Sequence, residues 1–214
     1  MRLLALALVT FVVPAGALAQ QGGAHGRLET DLVLEGSLGG GAVVVGDQWT
    51  GAVVAEGRAR YLGMAGLFLG TEVRARPDTG DAAGRLFIGA DLRPVFFARF
   101  LLGATLNDRY WDFFFDSIGL DLGVAITPLD EDIGAALAVG FGFDVPLVFF
   151  DEPTHQSPDG VSLRFFARHV AALASDRGGP NGGVNDWLMG ATLVVRGSVR
   201  SGLPTWEPRR YELP

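Results

Sequence analysis

The chain of 214 residues contains no cysteine and no lysine. Without cysteine it can form no disulfide framework, no Cys-ligated zinc site, no iron–sulfur cluster and no lipid-modified cysteine. All 17 basic residues are therefore arginines, and the formal net charge is −7. Acidic chains without a basic run are poorly suited to nucleic acid, so we expect no nucleic-acid partner.

Charge and long apolar runs are also scarce. Charged residues make up 19% of the chain, against about 25% in an average soluble domain. Beyond the N-terminus, no window of eighteen uninterrupted apolar residues occurs, which predicts no transmembrane helix. Glycine is abundant instead, with 31 residues, about twice its usual share of ~7%.

The N-terminal segment has the three parts of a secretory signal peptide. A positive start at Met1-Arg2 precedes an apolar run from Leu3 to Val13, and Ala17-Leu18-Ala19 has the small-residue pattern of a cleavage site. We therefore predict a signal peptide at 1–19, one domain at 20–200 and a C-terminal tail at 201–214. The predicted export argues against a role in cytoplasmic metabolism.

Most of the mature chain alternates between apolar and polar residues with a period of two, which is the pattern of a β-strand. In the clearest segment, Leu137, Val139 and Phe141 share one face while glycine, alanine and Asp144 share the other. Apolar residues do not recur at the spacing of a helix. The predicted strands are 28–38, 52–61, 67–76, 85–93, 117–126, 134–145, 161–173 and 187–200.

Turn-forming residues separate these segments. The candidate turns are Gly39–Gly41 with Gly46-Asp47, 62–64, 77–81, 127–130, 151–160 and 176–185. Residues 94–116 are the exception, because they are too apolar for a plain loop. They either extend the fourth strand or form a short helix against a barrel end.

Eight strands of this length fit a single antiparallel up-and-down β-barrel. A soluble lipocalin-type barrel would bury the apolar face, whereas a membrane barrel would turn it towards lipid. The polar face mixes arginine and carboxylates with glycine and alanine, which suits a crowded interior better than a solvated surface. The strand lengths match the ~9–11 residues that a membrane strand needs. We predict an all-β barrel of membrane type with about eight strands.

Over residues 27–200, this strand pattern together with the signal peptide resembles small outer-membrane β-barrel proteins of Gram-negative bacteria. Such proteins serve as anchors, adhesins, narrow pores or lipid enzymes. The resemblance implies insertion in the outer membrane, with outer-membrane lipid as a partner and any protein or surface partner bound through the loops. The alternative location is the periplasm or the medium.

The polar face supplies the candidate site. An eight-stranded barrel has room inside for side chains and little else, and an unpaired buried charge is costly. We therefore predict a lumen filled by arginine–carboxylate pairs, with a polar path for a solute as the alternative. The candidate residues are Glu29, Asp31, Glu35, Glu56, Arg58, Arg60, Glu72, Arg74, Arg76, Arg85, Asp91, Arg93, Asp121, Asp144, Arg164, Arg168, Arg196 and Arg200.

Catalytic signals are weak. His155, Ser157 and Asp159 superficially resemble the His-x-Ser of outer-membrane lipid A deacylases, but flanking prolines favour a polar loop. Asp130–Asp132 is more typical of a solvated hairpin tip than of a metal site. We expect no catalytic residue, no cofactor and no metal, and a structural or interaction role. The alternatives are a small pore or carrier, a lipid-modifying membrane enzyme and a soluble lipocalin-like binder of an apolar ligand.

The signal peptide generates a first prediction. Signal peptidase is expected to cleave between Ala19 and Gln20, since a small residue occupies each recognised position of the site. N-terminal sequencing of the exported protein checks this. Mature protein that still begins at Met1 would contradict both the cleavage and the inferred export.

Overall fold

The computed structural model describes residues 32–75, 82–106, 108–127, 134–150, 159–172 and 185–199. Within them, eight antiparallel strands form a closed barrel in which each strand pairs with the next and the last pairs with the first. This confirms the predicted fold class. The predicted signal peptide and C-terminal tail lie outside the described residues.

The strands follow the predicted order, and each alternating segment overlaps one strand. Their bounds are β1 Leu32–Val45, β2 Gln48–Tyr61, β3 Ala65–Ala75, β4 Ala82–Leu92, β5 Gly119–Thr127, β6 Gly134–Phe149, β7 Gly160–Ala172 and β8 Asp186–Val199. The barrel end at which β1 begins also holds the end of β8; we call it the terminal end.

One predicted turn is wrong, because Gly39–Gly41 lies inside β1. A Cβ atom on Gly39 would lie 2.1 Å from the carbonyl oxygen of Ala191, and one on Gly41 would lie 2.3 Å from that of Met189. These glycines allow β1 and β8 to approach closely where the barrel closes. The chain reverses later, at Gly46-Asp47, where Gly46 has a φ of +58°.

Strand ends also differ from the predicted bounds, and two of these differences have a clear local cause. β6 continues past 145 to Phe149, with a shift of register between Pro146 and Val148. Proline lacks the N–H that a regular ladder needs, so it is accommodated at an irregularity. β5 begins at Gly119, because Ser117 instead ends a helix and its hydroxyl donates to the carbonyl of Phe114 at 2.6 Å.

The described part of 94–116 contains two helices and does not extend the fourth strand. Helix α1 spans Pro94–Leu102 and ends at Gly103, whose φ of 61° favours glycine. Helix α2 spans Arg109–Asp116, and the carboxylate of Asp108 caps its start by accepting from the Tyr110 N–H at 2.9 Å. Neither these nor any other helix in the described ranges has the length and apolar character needed to cross a bilayer.

The two faces of the barrel wall have opposite chemistry, in the phase predicted from the alternation. Outward-facing Leu67 and Leu38 are 70% and 63% exposed, whereas inward-facing Arg164 and Arg168 are each 1% exposed. A soluble barrel would bury the leucines and expose the arginines. The arrangement is therefore that of a membrane barrel, with an apolar exterior and a charged interior.

Outward-facing Leu122 and Val139 are register partners on β5 and β6, and both are exposed. Leu122→Arg and Val139→Arg should each reduce the yield of folded, membrane-inserted protein, because arginine at mid-membrane on a barrel exterior costs ~2–4 kcal/mol. Leu122→Met and Val139→Ile are the matched apolar controls and should insert like the parent. Equal insertion of all four variants would contradict a lipid-facing exterior in this phase.

Candidate functional site

The candidate site is the barrel lumen, where the described members of the predicted set form ion pairs. Glu29, Asp31, Arg76 and Arg200 lie outside the described residues. The others fall into two groups. We call the larger one the main network: Glu35, Glu56, Arg58, Arg60, Asp91, Arg93, Asp121, Asp144, Arg164, Arg168 and Arg196.

Arg58 connects three strands at the centre of the main network. Its Nη1 lies 2.5 Å from Asp91 Oδ2 and 2.7 Å from Asp121 Oδ1, and its Nη2 lies 2.6 Å from Glu56 Oε2. The side chains come from β2, β4 and β5 and meet because all of them point inward. Arginine can serve three carboxylates at once because its planar guanidinium carries five donors.

Asp121 is the matching hub among the carboxylates. Besides Arg58, it contacts Arg168 Nη2 at 3.1 Å and Arg164 Nη2 at 3.7 Å. Its side chain is buried. Because several cations depend on this one carboxylate, its removal would leave more than one buried charge short of a partner.

The main network continues towards the terminal end. Arg196 contacts Glu35 and Asp144, each at 2.5 Å. Arg60 pairs with Glu35 and lies 2.7 Å from Asp91. These contacts cross the closure between β1 and β8 and reach β6 on the far wall, so the ion pairs tie together strands that are not neighbours.

A smaller network occupies the other half of the lumen and consists of Glu72, Arg74, Arg85 and Asp186. Arg85 holds Asp186 through two hydrogen bonds of 2.9 and 2.5 Å. Asp186 is not in the predicted set, although it directly precedes the predicted eighth strand. Extending the alternation by one residue would have placed it on the polar face.

A cluster of buried apolar side chains, which we call the apolar layer, packs against both networks and was not predicted from the sequence. The guanidinium of Arg168 lies 4.6 Å from the ring centre of Phe87 and 5.1 Å from that of Phe68, which allows cation–π attraction. The ring of Phe87 also lies 5.8 Å from the guanidinium of Arg85 in the smaller network. The layer comprises Val43, Ala52, Val54, Phe68, Phe87, Ala125, Ala136, Ala138, Phe166, Val170 and Leu188.

A cavity at the terminal end is small. A cavity of about 60 Å³ lies beside the turn at 62–64 and is lined by residues that include Arg60, Arg93, Phe96 and Phe113. Space of this size accommodates a few water molecules. It offers no room for a substrate of metabolite size.

The structure offers little for the catalytic alternatives. Within the described ranges, no group of three or more histidine and carboxylate side chains is placed to hold a metal ion. His169 lies on the outer face, with its ring centre 4.7 Å from that of Trp187. His155 and Ser157 of the loop triplet, and Asp130–Asp132, lie outside the described residues.

The hub role of Asp121 leads to a stability prediction. Asp121→Asn should lower the unfolding temperature in detergent, because breaking a buried ion pair costs roughly 3–5 kcal/mol. Asp47→Asn is the matched control: the same chemical change at the exposed β1–β2 turn should leave the unfolding temperature unchanged. Equal melting of both variants would show that Asp121 is hydrated and not engaged in buried pairs.

No protein-family model matches the chain, and no curated protein matches it. Among solved structures, it is similar to Neisserial surface protein A, with 11% identity and a TM-score of 0.44 over 77% of this chain and 96% of that one. It is also similar to Ail, the attachment invasion locus protein of Yersinia pestis, solved in complex with the heparin analogue sucrose octasulfate. That match has 12% identity and a TM-score of 0.36 over 78% of this chain and 99% of that one. The described eight-stranded barrel agrees with the resemblance of the strand pattern to small outer-membrane β-barrel proteins.

Proposed function

We propose that the protein is a non-enzymatic β-barrel of the bacterial outer membrane with a structural or interaction role. One observation supports this above all others: the barrel is closed, and it is apolar outside and charged inside. Side chains such as Leu67 and Leu69 would be exposed to water in a soluble protein. Exposure of apolar side chains to water is unfavourable, whereas contact with hydrocarbon is not. Outer-membrane lipid is therefore the proposed partner of this surface.

The dimensions of the wall support insertion. The strands contain 9 to 16 residues, and a tilted membrane strand needs ~9–11 to cross the hydrocarbon core. The strands run antiparallel and close on themselves. Every strand therefore has a hydrogen-bonding partner on both sides, as a barrel in lipid requires.

The contents of the lumen favour a closed plug over a pore. Ions crossing the barrel would have to displace the main network, the apolar layer and the smaller network in turn. Phe68 and Phe87 are buried among the lumen arginines, and their rings occupy space that a permeating ion would need. A sealed barrel leaves recognition to the loops at its ends, which is why we propose an anchoring or interaction role.

Cell fractionation followed by planar-bilayer recording tests the proposal. The protein should sediment with outer membranes, resist alkaline and high-salt washes, and dissolve in detergent, because its exterior needs an apolar solvent. Detergent-purified protein reconstituted in a planar bilayer should then show no steady conductance, because its lumen is filled.

The two readouts separate the alternatives. Recovery in the soluble fraction without detergent would replace the proposal with a soluble lipocalin-like barrel. Membrane recovery combined with a steady, ion-selective current would make the small pore the correct function. A barrel that carries Leu122→Arg is a useful control, since reduced insertion should remove it from the outer-membrane fraction while the lumen residues stay unchanged.

A further inference from the structure

The helices α1 and α2 form a rigid unit at the terminal end of the barrel. The backbone N–H of Arg93, just before α1, donates to the carbonyl of Met64 at 2.7 Å. After α2, the hydroxyl oxygen of Ser117 accepts from the Asp144 N–H at 2.7 Å. Phe96 and Phe113 are buried at the barrel mouth. These contacts at both ends hold one face of each helix against the barrel.

The opposite face of α1 is apolar throughout. Its exposed residues are Pro94, Phe97, Ala98, Leu101 and Leu102. Leu101 and Leu102 are 66% and 64% exposed. A helix that faces water normally presents charged or polar side chains there, so this face requires an apolar covering.

Arg99 is the one charged residue of α1, and it does not make this face polar because its side chain points towards α2. Arg99 Nη1 lies 2.6 Å from Asp116 Oδ1, and the same guanidinium pairs with Asp112. The ion pairs join the two helices and withdraw the charge from the exposed side.

Aromatic contacts connect α2 to the outer wall of the barrel. The ring centres of Phe165 on β7 and Phe143 on β6 are 5.5 Å apart, and Phe143 is 5.7 Å from Phe114 on α2. Phe114 in turn lies 5.8 Å from Trp111. Phe143 and Phe165 belong to the outward-facing set of their strands. The apolar exterior of the barrel therefore continues without interruption onto α2.

We propose that α1 and α2 lie in the bilayer leaflet at the terminal end, with their apolar face among the lipid acyl chains. This inference rests on the proposed membrane insertion of the barrel. The continuous aromatic surface favours lipid over a second copy of the chain or another protein, because the same medium that covers Phe143 extends to Trp111. Interfacial helices lie about 5–10 Å into the boundary between headgroups and chains, and tryptophan is enriched at that depth.

Depth-dependent fluorescence quenching in phosphatidylcholine vesicles tests this. The chain has 4 tryptophans, so a variant that combines Trp49→Phe, Trp187→Phe and Trp206→Phe reports on Trp111 alone. The emission of Trp111 should be quenched most by lipids that carry bromine near the headgroup end of the acyl chain. It should be poorly quenched by acrylamide in water, because lipid covers the ring.

Two further variants keep the test decisive. With all four tryptophans replaced by phenylalanine, Leu101→Trp reports on α1 and Leu122→Trp reports on the barrel wall. Leu101→Trp should behave like Trp111, since the ion pairs of Arg99 hold α1 beside α2 and both helices are proposed to lie at the same depth. Leu122→Trp should be quenched most by bromines near the chain ends, as expected for a residue in the middle of the wall.

The outcomes distinguish an error in the proposed position of the helices from an error in the proposed membrane insertion of the barrel. Quenching of Leu122→Trp by lipid, with Trp111 and Leu101→Trp quenched only by acrylamide, would overturn the leaflet position and leave the membrane barrel standing. Protection of the two helix probes from both quenchers would also overturn it, and would assign the face to a protein contact. If brominated lipid quenches none of the three probes, the result contradicts the proposed function itself.

Discussion

Buried charge that must be neutralised is the constraint on which this barrel depends. Closing eight strands encloses one face of every strand, and on this chain that face carries arginine and carboxylates. Arg58 and Asp121 show how the constraint is met: each serves several partners of opposite sign from different strands. A single pair would neutralise charge locally, whereas shared partners join opposite walls across the lumen.

The same constraint links the interior to the exterior. Because the charged side chains use the enclosed face, the alternating apolar side chains must face outward, since successive residues of a strand point to opposite sides. A barrel built in this way has no stable place in water. The proposed absence of transport has the same origin, since the lumen arginines and carboxylates already pair with one another and the Phe68 and Phe87 rings pack beside them. The inert, membrane-inserted scaffold that we propose follows from one choice of phase along the strands.

The two helices between β4 and β5 follow the same rule as the sheet: charged side chains pair with one another and apolar side chains face outward. Arg99 pairs with carboxylates of α2, just as Arg58 pairs with carboxylates across the barrel. Both cases leave an apolar surface facing outward, and the Phe143–Phe114 contact joins α2 to the exterior of the barrel. In water, the connection between β4 and β5 would expose apolar side chains. In the proposed position beside the barrel, these side chains contact lipid.

The strand order, the phase of each strand and the assignment of arginine and carboxylates to the lumen could be predicted from the sequence, because a period of two records which side of a strand each residue faces. The pairs could not be predicted. Arg58 and Asp121 are 63 positions apart, and only the register between strands and the closure of β1 on β8 bring them together.

Dependence on contacts between residues far apart in sequence also explains where the predicted turns and lumen residues were wrong or incomplete. Glycines 39–41 have the composition of a turn, and the requirement for close approach to β8 keeps them in a strand. The buried phenylalanines lie on the polar face by phase and form a layer only when strands from all sides of the barrel meet. Local patterning therefore determined the inside and outside of this protein, whereas contacts between distant residues decided what closes it, because they depend on the barrel's geometry in three dimensions.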